Sequence, residues 1–391
     1  MKRKALMIAL TAVAGMFAAA TPSAAGFAFG EETKGVTLTQ GESDLTIRVR
    51  LQPRFDFGDI IDNGTSYSTE SDMYLRRARL EMGGHLVSRK IKYNVTLDAD
   101  KWDKAGNDNK VSLKYAYVTL APDEAYSFMF GKYKLPYSRE ALTDGSTLLM
   151  VERPASVEAA QNVFGESKAF YQPKVAVFGR LLEGSIGYEV AVADGWQNGE
   201  TIRENTLPTP DTTVFKAAPF LATRIEISPT GWVEDKKKGS HLGKGQHITA
   251  GVSLAMQNDI DYELGGGEDR TLWGVDVSTH AQGLTVSAEY ITWEVDSSVY
   301  GKARPEGLFL QGGYFMEGIN IEPTARFEIF DHDTKTSDDT ERTITLGVNW
   351  YGMGHSLKVQ ANWAHTRFDS GVPDFIDRSR DIIQVQGQLY F

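Results

Sequence analysis

A period of two, repeated along the chain and punctuated by links that are alternately long and short, constrains this sequence more than any other feature. "LTIRVRLQPRF" shows the pattern: Leu45, Ile47, Val49 and Leu51 fall on one face, and Thr46, Arg48, Arg50, Gln52 and Arg54 on the other. Such alternation marks a β-strand with two unlike faces. Sixteen segments of this kind begin near Leu45, Tyr74, Ile91, Val111, Ser127, Lys174, Ser185, Pro219, Gln246, Arg270, Leu284, Gly307, Ile321, Glu341, His355 and Asp381. The links "GDIIDNGTSYSTESD", "DKWDKAGNDNK" and "DHDTKTSDDT" are long, whereas "VSRK", "APDEAY", "LLEG" and "GMG" are short. That parity belongs to a closed up-and-down transmembrane barrel, with short turns on one rim and long loops on the other. A two-sheet sandwich has no reason to keep it, and a propeller would repeat a motif in every blade. The fold class expected is all-β: a sixteen-stranded antiparallel transmembrane β-barrel. One turn breaks the parity. "SPTGWVEDKKKGSHLGKG" should be short, and is read as a tolerated insertion.

The ends of the chain agree. Lys2, Arg3 and Lys4 precede the apolar run "ALMIALTAVAGMFAAA", and Ser23-Ala24-Ala25 supplies small residues for cleavage. Residues 1–25 are therefore read as a secretory signal peptide, 26–44 as a periplasmic lead-in and 45–391 as the barrel. The closing segment "DIIQVQGQLYF" alternates and ends on Phe391. Aromatics such as Phe55, Tyr74, Trp273, Trp293, Trp350 and Trp363 sit near segment ends, where lipid headgroups would meet them. With no cysteine, the chain has no disulfide, thiolate metal site or covalently attached haem. The formal net charge of −11 falls to about −14 once the basic start is removed, a poor balance for binding nucleic acid.

A barrel of sixteen strands is too wide for side chains to fill, so the polar face looks onto water. Arg48, Arg50 and Arg54 then line a lumen, joined by Arg77, Arg79, Glu81 and His85 of the second strand. Lys92, Asp98 and Asp100 follow on the third, and Lys114, Lys132 and Lys134 extend the set. Pairing Phe57 with Tyr74 would place Arg54 opposite Arg77 and Arg50 opposite Glu81. Two readings stay open. Arg50–Glu81 and Arg79–Asp98 can be wall ion pairs that fix register, or the arginines can draw anions inward. The third long link, Leu135 to Pro173, carries Arg139, Glu140, Asp144, Glu152, Arg153, Glu158, Glu166 and Lys168. It also holds two apolar patches, "TLLMV" and "NVFG", and "SVEAAQ" reads as a short helix. A link this long, with apolar material to pack, is expected to fold inward as a constriction.

At this point "LRRARLEMGGHL", "FGKYKLPYSRE" with its following "VERP", "QPKVAVFGRLLEGSIGYEVAVADGWQNGE", "WGVDVSTHAQGLTVSAEYITWEVD" and "ARFEIFDHD" resemble the phosphate-selective porin O and P family. The resemblance spans nearly the whole chain after residue 25. It implies a trimeric outer-membrane porin that passes small anions such as phosphate, with Arg48, Arg50, Arg77 and Arg79 in an arginine ladder. The alternative reading is a barrel sleeve that holds a partner, such as a multihaem electron carrier, across the outer membrane. No G-x-S-x-G, Walker loop or H-E-x-x-H occurs, so no enzyme is expected. No cofactor is expected either. Asp331-His332-Asp333 reads as a solvated loop tip, and His241 and His247 as members of a Gly/Lys-rich turn rather than metal ligands.

Overall fold

Alternating residues become strands whose pairing runs in sequence order around a closed wall. The computed structural model describes residues 26–28, 35–62, 66–104, 106–107, 109–165, 170–202, 212–369 and 379–391. The signal-peptide expectation for 1–25, and Glu166 and Lys168 of the third loop, fall outside the described residues. The wall strands are β1 Ser43–Asp62, β2 Ser66–Leu86, β3 Ser88–Trp102, β4 Val111–Leu120, β5 Ser127–Lys134, β6 Tyr171–Leu181, β7 Ile186–Ala193 and β8 Phe220–Ile227. They continue as β9 His247–Tyr262, β10 Gly267–Ala281, β11 Leu284–Ser297, β12 Glu306–Tyr314, β13 Ile321–Asp331, β14 Thr340–Tyr351, β15 Leu357–Phe368 and β16 Ser379–Tyr390. Each pairs antiparallel with the next. β16 returns to β1 through Val385↔Phe55 and Leu389↔Leu51, so the sixteen-stranded barrel is closed. Closure leaves no row of unpaired backbone groups, which a bilayer would not tolerate.

Faces are inverted relative to a water-soluble sheet. Along β9, His247, Thr249, Ser253 and Gln257 are buried while Ile248, Val252 and Leu254 are exposed. Val175, Val177, Val190, Leu310, Leu346 and Val348 continue the exposed apolar face on other strands. Apolar side chains pointing out, with polar ones pointing in, suit a wall whose outer solvent is lipid. Tight turns such as Gln282–Gly283, both at positive φ (49° and 84°), close one rim. Two-residue hairpin turns of this hand match the twist of the strands they join. In outer-membrane barrels the rim of short turns faces the periplasm.

Two boundaries differ from the sequence expectation. The first long link is mostly strand: β1 runs to Asp62 and β2 begins at Ser66, paired through Gly58↔Glu70 and Asp62↔Ser66. The antiparallel ladder simply continues past the point where the link turns polar in sequence. Gly35–Gln40, inside the expected lead-in, joins the sheet through Val36↔Ile47 and Gln40↔Ser43. It covers the stretch of β1 edge below Tyr390↔Arg50, the last β16 pair. Phe391 completes that seam, exchanging backbone hydrogen bonds with Val49 (2.7 and 3.0 Å).

Candidate functional site: a charged wall, an apolar wall and the loop between them

The lumen has two unlike walls. On β1 and β2, Arg50, Arg54, Arg76, Arg77 and Arg79 are all at most 5% exposed and turned inward. Their register differs from the expectation. Arg54 lies opposite Tyr74, Gln52 opposite Arg77, Arg50 opposite Arg79 and Arg48 opposite Glu81. The cause is a bulge: Gln52 pairs with Arg77 but Pro53 pairs with Leu75, which leaves Arg76 as an extra residue. A bulge re-aims side chains, so Arg76 and Arg77 both enter the lumen. A second shift, between Thr96↔Tyr115 and Leu97↔Leu113, does the same for Lys114 beside Tyr115. The doubled arginine of "LRRARL" was the sequence signal of the first bulge, because it breaks the alternation.

Carboxylates answer most of these cations. Arg50 meets Glu81 at 2.9 Å and Asp144 of the third loop at 3.0 Å, under the ring of Tyr390. Arg79 and Lys114 share Asp98 at 3.0 and 2.8 Å. Arg54 and Arg76 converge on Glu152, the latter through Nε at 2.7 Å, and Arg76 also reaches Asp100. Arg77 is different. Its guanidinium donates to Gln52 Oε1 at 2.8 Å, and among the described residues it has no carboxylate partner.

The other wall, from β7 to β13, presents an apolar patch to the loop among buried polar residues, one of which, Arg270, donates to Val163 O of the loop at 2.6 Å. Ala193, Phe220, Ala222, Ala255, Leu272, Ile291, Trp293, Phe309 and Phe330 form one buried cluster with loop residues Leu135, Tyr137, Val157, Ala160, Val163, Phe164 and Phe170. Phe164 packs on Phe220 with ring centroids 4.4 Å apart. The loop therefore spans the lumen, with Asp144 and Glu152 on the arginines and an apolar flank on the opposite wall. Two helical turns shape it: α1, Arg139–Leu142, capped by Ser138 Oγ accepting from Ala141 N–H (3.1 Å), and α2, Ala155–Ala160, at the expected "SVEAAQ". Leu148, Leu149 and Met150 are buried, with carbonyls of the first two taken by Gln360 and Asn349 of the wall. Arg153 binds back onto the loop, donating to the carbonyls of Glu140 (3.0 Å) and Thr143 (2.7 Å). The Glu140 side chain accepts from Gln311 at 3.1 Å. Burial works against the Asp144 and Glu152 carboxylates. Even so, Arg50 and Lys134 around the first, and Arg54 and Arg76 around the second, hold both well below the usual carboxylate range.

The parity-breaking turn also enters the lumen. Residues 228–246, between β8 and β9, carry a fully buried Ser240 whose N–H donates to Thr147 O (2.9 Å) and whose Oγ donates to Glu322 (3.0 Å). Glu234 of the turn holds Arg139 of the loop by two hydrogen bonds of 2.5 and 2.8 Å. Gly239 is pressed so close that a Cβ would lie 2.5 Å from Leu149 N. Sequence reading missed this contact, since nothing local distinguishes an inserted turn from a solvated one.

At the short-turn rim a cavity of about 1830 Å³ opens between this turn and β2–β8. Arg48, Lys92, Arg180 and Lys236–Lys238 line it, with Glu124, Glu183, Glu189 and Asp235 interspersed. Arg48 and Lys92 have no ion-pair partner among the described residues. Lys134 sits where β5 leaves the wall, donating to the carbonyls of Leu142 (2.6 Å) and Thr143 (3.1 Å). Lys132 corrects the expectation. It pairs with Ala116 and Pro173 on the face shared with exposed Phe130, because Tyr133 takes the lumen side.

Comparison with known proteins agrees with this architecture. The family model for phosphate-selective porins O and P matches residues 47–391. An uncharacterized protein of Aquifex aeolicus (strain VF5) is 31% identical over 389 residues, covering 92% of this chain and 91% of the relative. Among solved structures, an anion-selective porin from Comamonas acidovorans superposes with a TM-score of 0.62 at 12% identity, covering 90% of this chain and all of the other. The outer membrane channel DcaP of Acinetobacter baumannii gives 0.59 at 12% identity, covering 90% of this chain and 99% of that one. At such identities the structures speak for the fold alone, which is that of an outer-membrane channel, and with the match over residues 47–391 the chain belongs to the phosphate-selective porin O and P family.

Proposed function

We propose that the barrel is a passive diffusion pore with preference for small anions, phosphate among them, and that the third loop forms its constriction. The observation that carries this reading is Arg77, a buried guanidinium on the arginine wall with an amide and no carboxylate as partner. A buried cation is costly without a counter-charge, and a permeating anion supplies one transiently. Arg48 and Lys92 in the cavity below extend the positive path. Asp98, Glu81, Asp144 and Glu152 hold the remaining cations and keep anion binding weak enough for release, which conduction requires. The barrel assembles as a homotrimer in lipid by family resemblance, and one neighbour in the fold, OmpT of Vibrio cholerae, is described in a trimer form. A sleeve around a multihaem partner finds less support. Loop residues 135–165 and the 228–246 turn already occupy the space that such a partner would need.

Competition separates selective from general diffusion. In planar bilayers, inorganic phosphate at millimolar levels should reduce chloride current through the wild type, and reduce it less through Arg77→Gln. Equal block of both, or none of either, would leave a general pore.

A further inference from the structure

The inserted turn brings together three imidazoles and a carboxylate on the cavity wall. His241 lies on the turn, His247 opens β9, and His280 of β10 is its cross-strand partner. The His241 ring stands 4.7 Å from that of His247 and 4.6 Å from that of His280, stacked on the latter at 24°. One ligating atom from each of Glu234, His241 and His247 lies within 4.8 Å of the others. His247 and His280 are almost fully buried (2% and 0% exposed). Yet one ring nitrogen of the set, His241 Nε2, is buried with no hydrogen-bond partner. His241 Nε2 sits 3.2 Å from Glu234 Oε1, an ion-pair distance if the ring is protonated. Buried polar atoms are nearly always satisfied, so an imidazole nitrogen left over among converging ligand atoms points to a group that completes it.

We propose that Glu234, His241 and His247 form a site for a borderline divalent transition-metal ion, zinc being the representative case. Imidazole suits zinc, nickel, cobalt and copper, whereas calcium and magnesium want an all-oxygen shell. The supporting contacts are in place. Ser278 Oγ holds His247 Nε2 at 2.9 Å and Thr285 Oγ1 holds His280 Nδ1 at 2.9 Å, fixing ring orientation. Arg139 orients the Glu234 carboxylate from the loop side. All three ligands face the water-filled cavity, so solvent is available for a fourth position, as in three-ligand open zinc sites. Such an ion would tie the turn to the wall at β9. Through Arg139–Glu234 it would brace the third loop as well.

The test uses the full barrel refolded in detergent. Titration with Co²⁺ should give one ion per chain with visible d–d absorption, displaced by Zn²⁺ and unaffected by Mg²⁺. His241→Gln and His247→Gln, each retaining the heat resistance of the barrel, should bind at least tenfold more weakly, and the double variant should lose the absorption. Absence of stoichiometric binding in the wild type would overturn the proposal. So would unchanged affinity in the double variant, which would assign the metal to surface carboxylates.

Discussion

The third loop is held by two walls that work by different physics. Toward β7–β13 it buries aromatic and aliphatic side chains, a non-directional attraction that tolerates small shifts, alongside a few hydrogen bonds such as Gln311 to Glu140. Toward β1–β3 it is held by ion pairs whose partners are buried and whose geometry must be kept. The apolar side supplies adhesion, and the charged side sets where the loop stops and what field the pore presents.

The strongest way to break the comparison is to remove the loop from both walls. Deleting residues 146–161 should raise single-channel conductance several-fold, and unchanged conductance would place the loop outside the conduction path. Next comes loss of adhesion alone. Phe164→Ala empties a fully buried site and should cost about 3–5 kcal/mol of local stability. Faster hydrogen exchange across 155–165, with ion selectivity retained, would check it. On the charged side, Glu152→Gln leaves Arg54 and Arg76 without their shared carboxylate. The zero-current potential should then shift further toward anions while conductance changes little.

Acid sharpens the contrast. Because Asp144 and Glu152 titrate well below their free range, their ionic hold is complete above about pH 4 and is lost only as pH falls through the depressed values. The apolar contacts do not titrate. Acidification should therefore loosen residues 144–153 before 155–165, as read by hydrogen exchange at pH 4 and below. Simultaneous release of both segments would contradict the division. The smallest effect expected is that of Lys132→Ala, which leaves the zero-current potential unchanged because the side chain faces away from the lumen.

Much of this was legible in the residues, and the failures share a cause. Strand number and order follow from period two and link parity, both of which are local. Inward placement of Arg50, Arg54, Arg77 and Arg79 follows from the same alternation. Arg76 escapes it because a bulge changes parity by one residue, and bulges are decided by pairing with a neighbouring strand. The Phe57–Tyr74 register failed for a related reason. The hairpin continues to Asp62↔Ser66, so the turn lies farther from the membrane than the polar link suggested. The inward path of the turn that carries His241 and His247 escaped because nothing in "KKKGSHLGKG" tells of Glu322 and Thr147, the partners of Ser240 inside the barrel.

The basic wall is the centre of the account, and the zero-current potential across a tenfold potassium chloride gradient in a planar bilayer measures it most directly. The wild type should be anion-selective. A variant carrying Arg48→Glu, Arg77→Glu and Lys92→Glu, three lumen cations without a carboxylate partner among the described residues, should move toward cations while the barrel stays heat-resistant on a gel. A wild type that already prefers cations, or a potential that does not move in the variant, would contradict it, and the arginines would then be wall ion pairs alone.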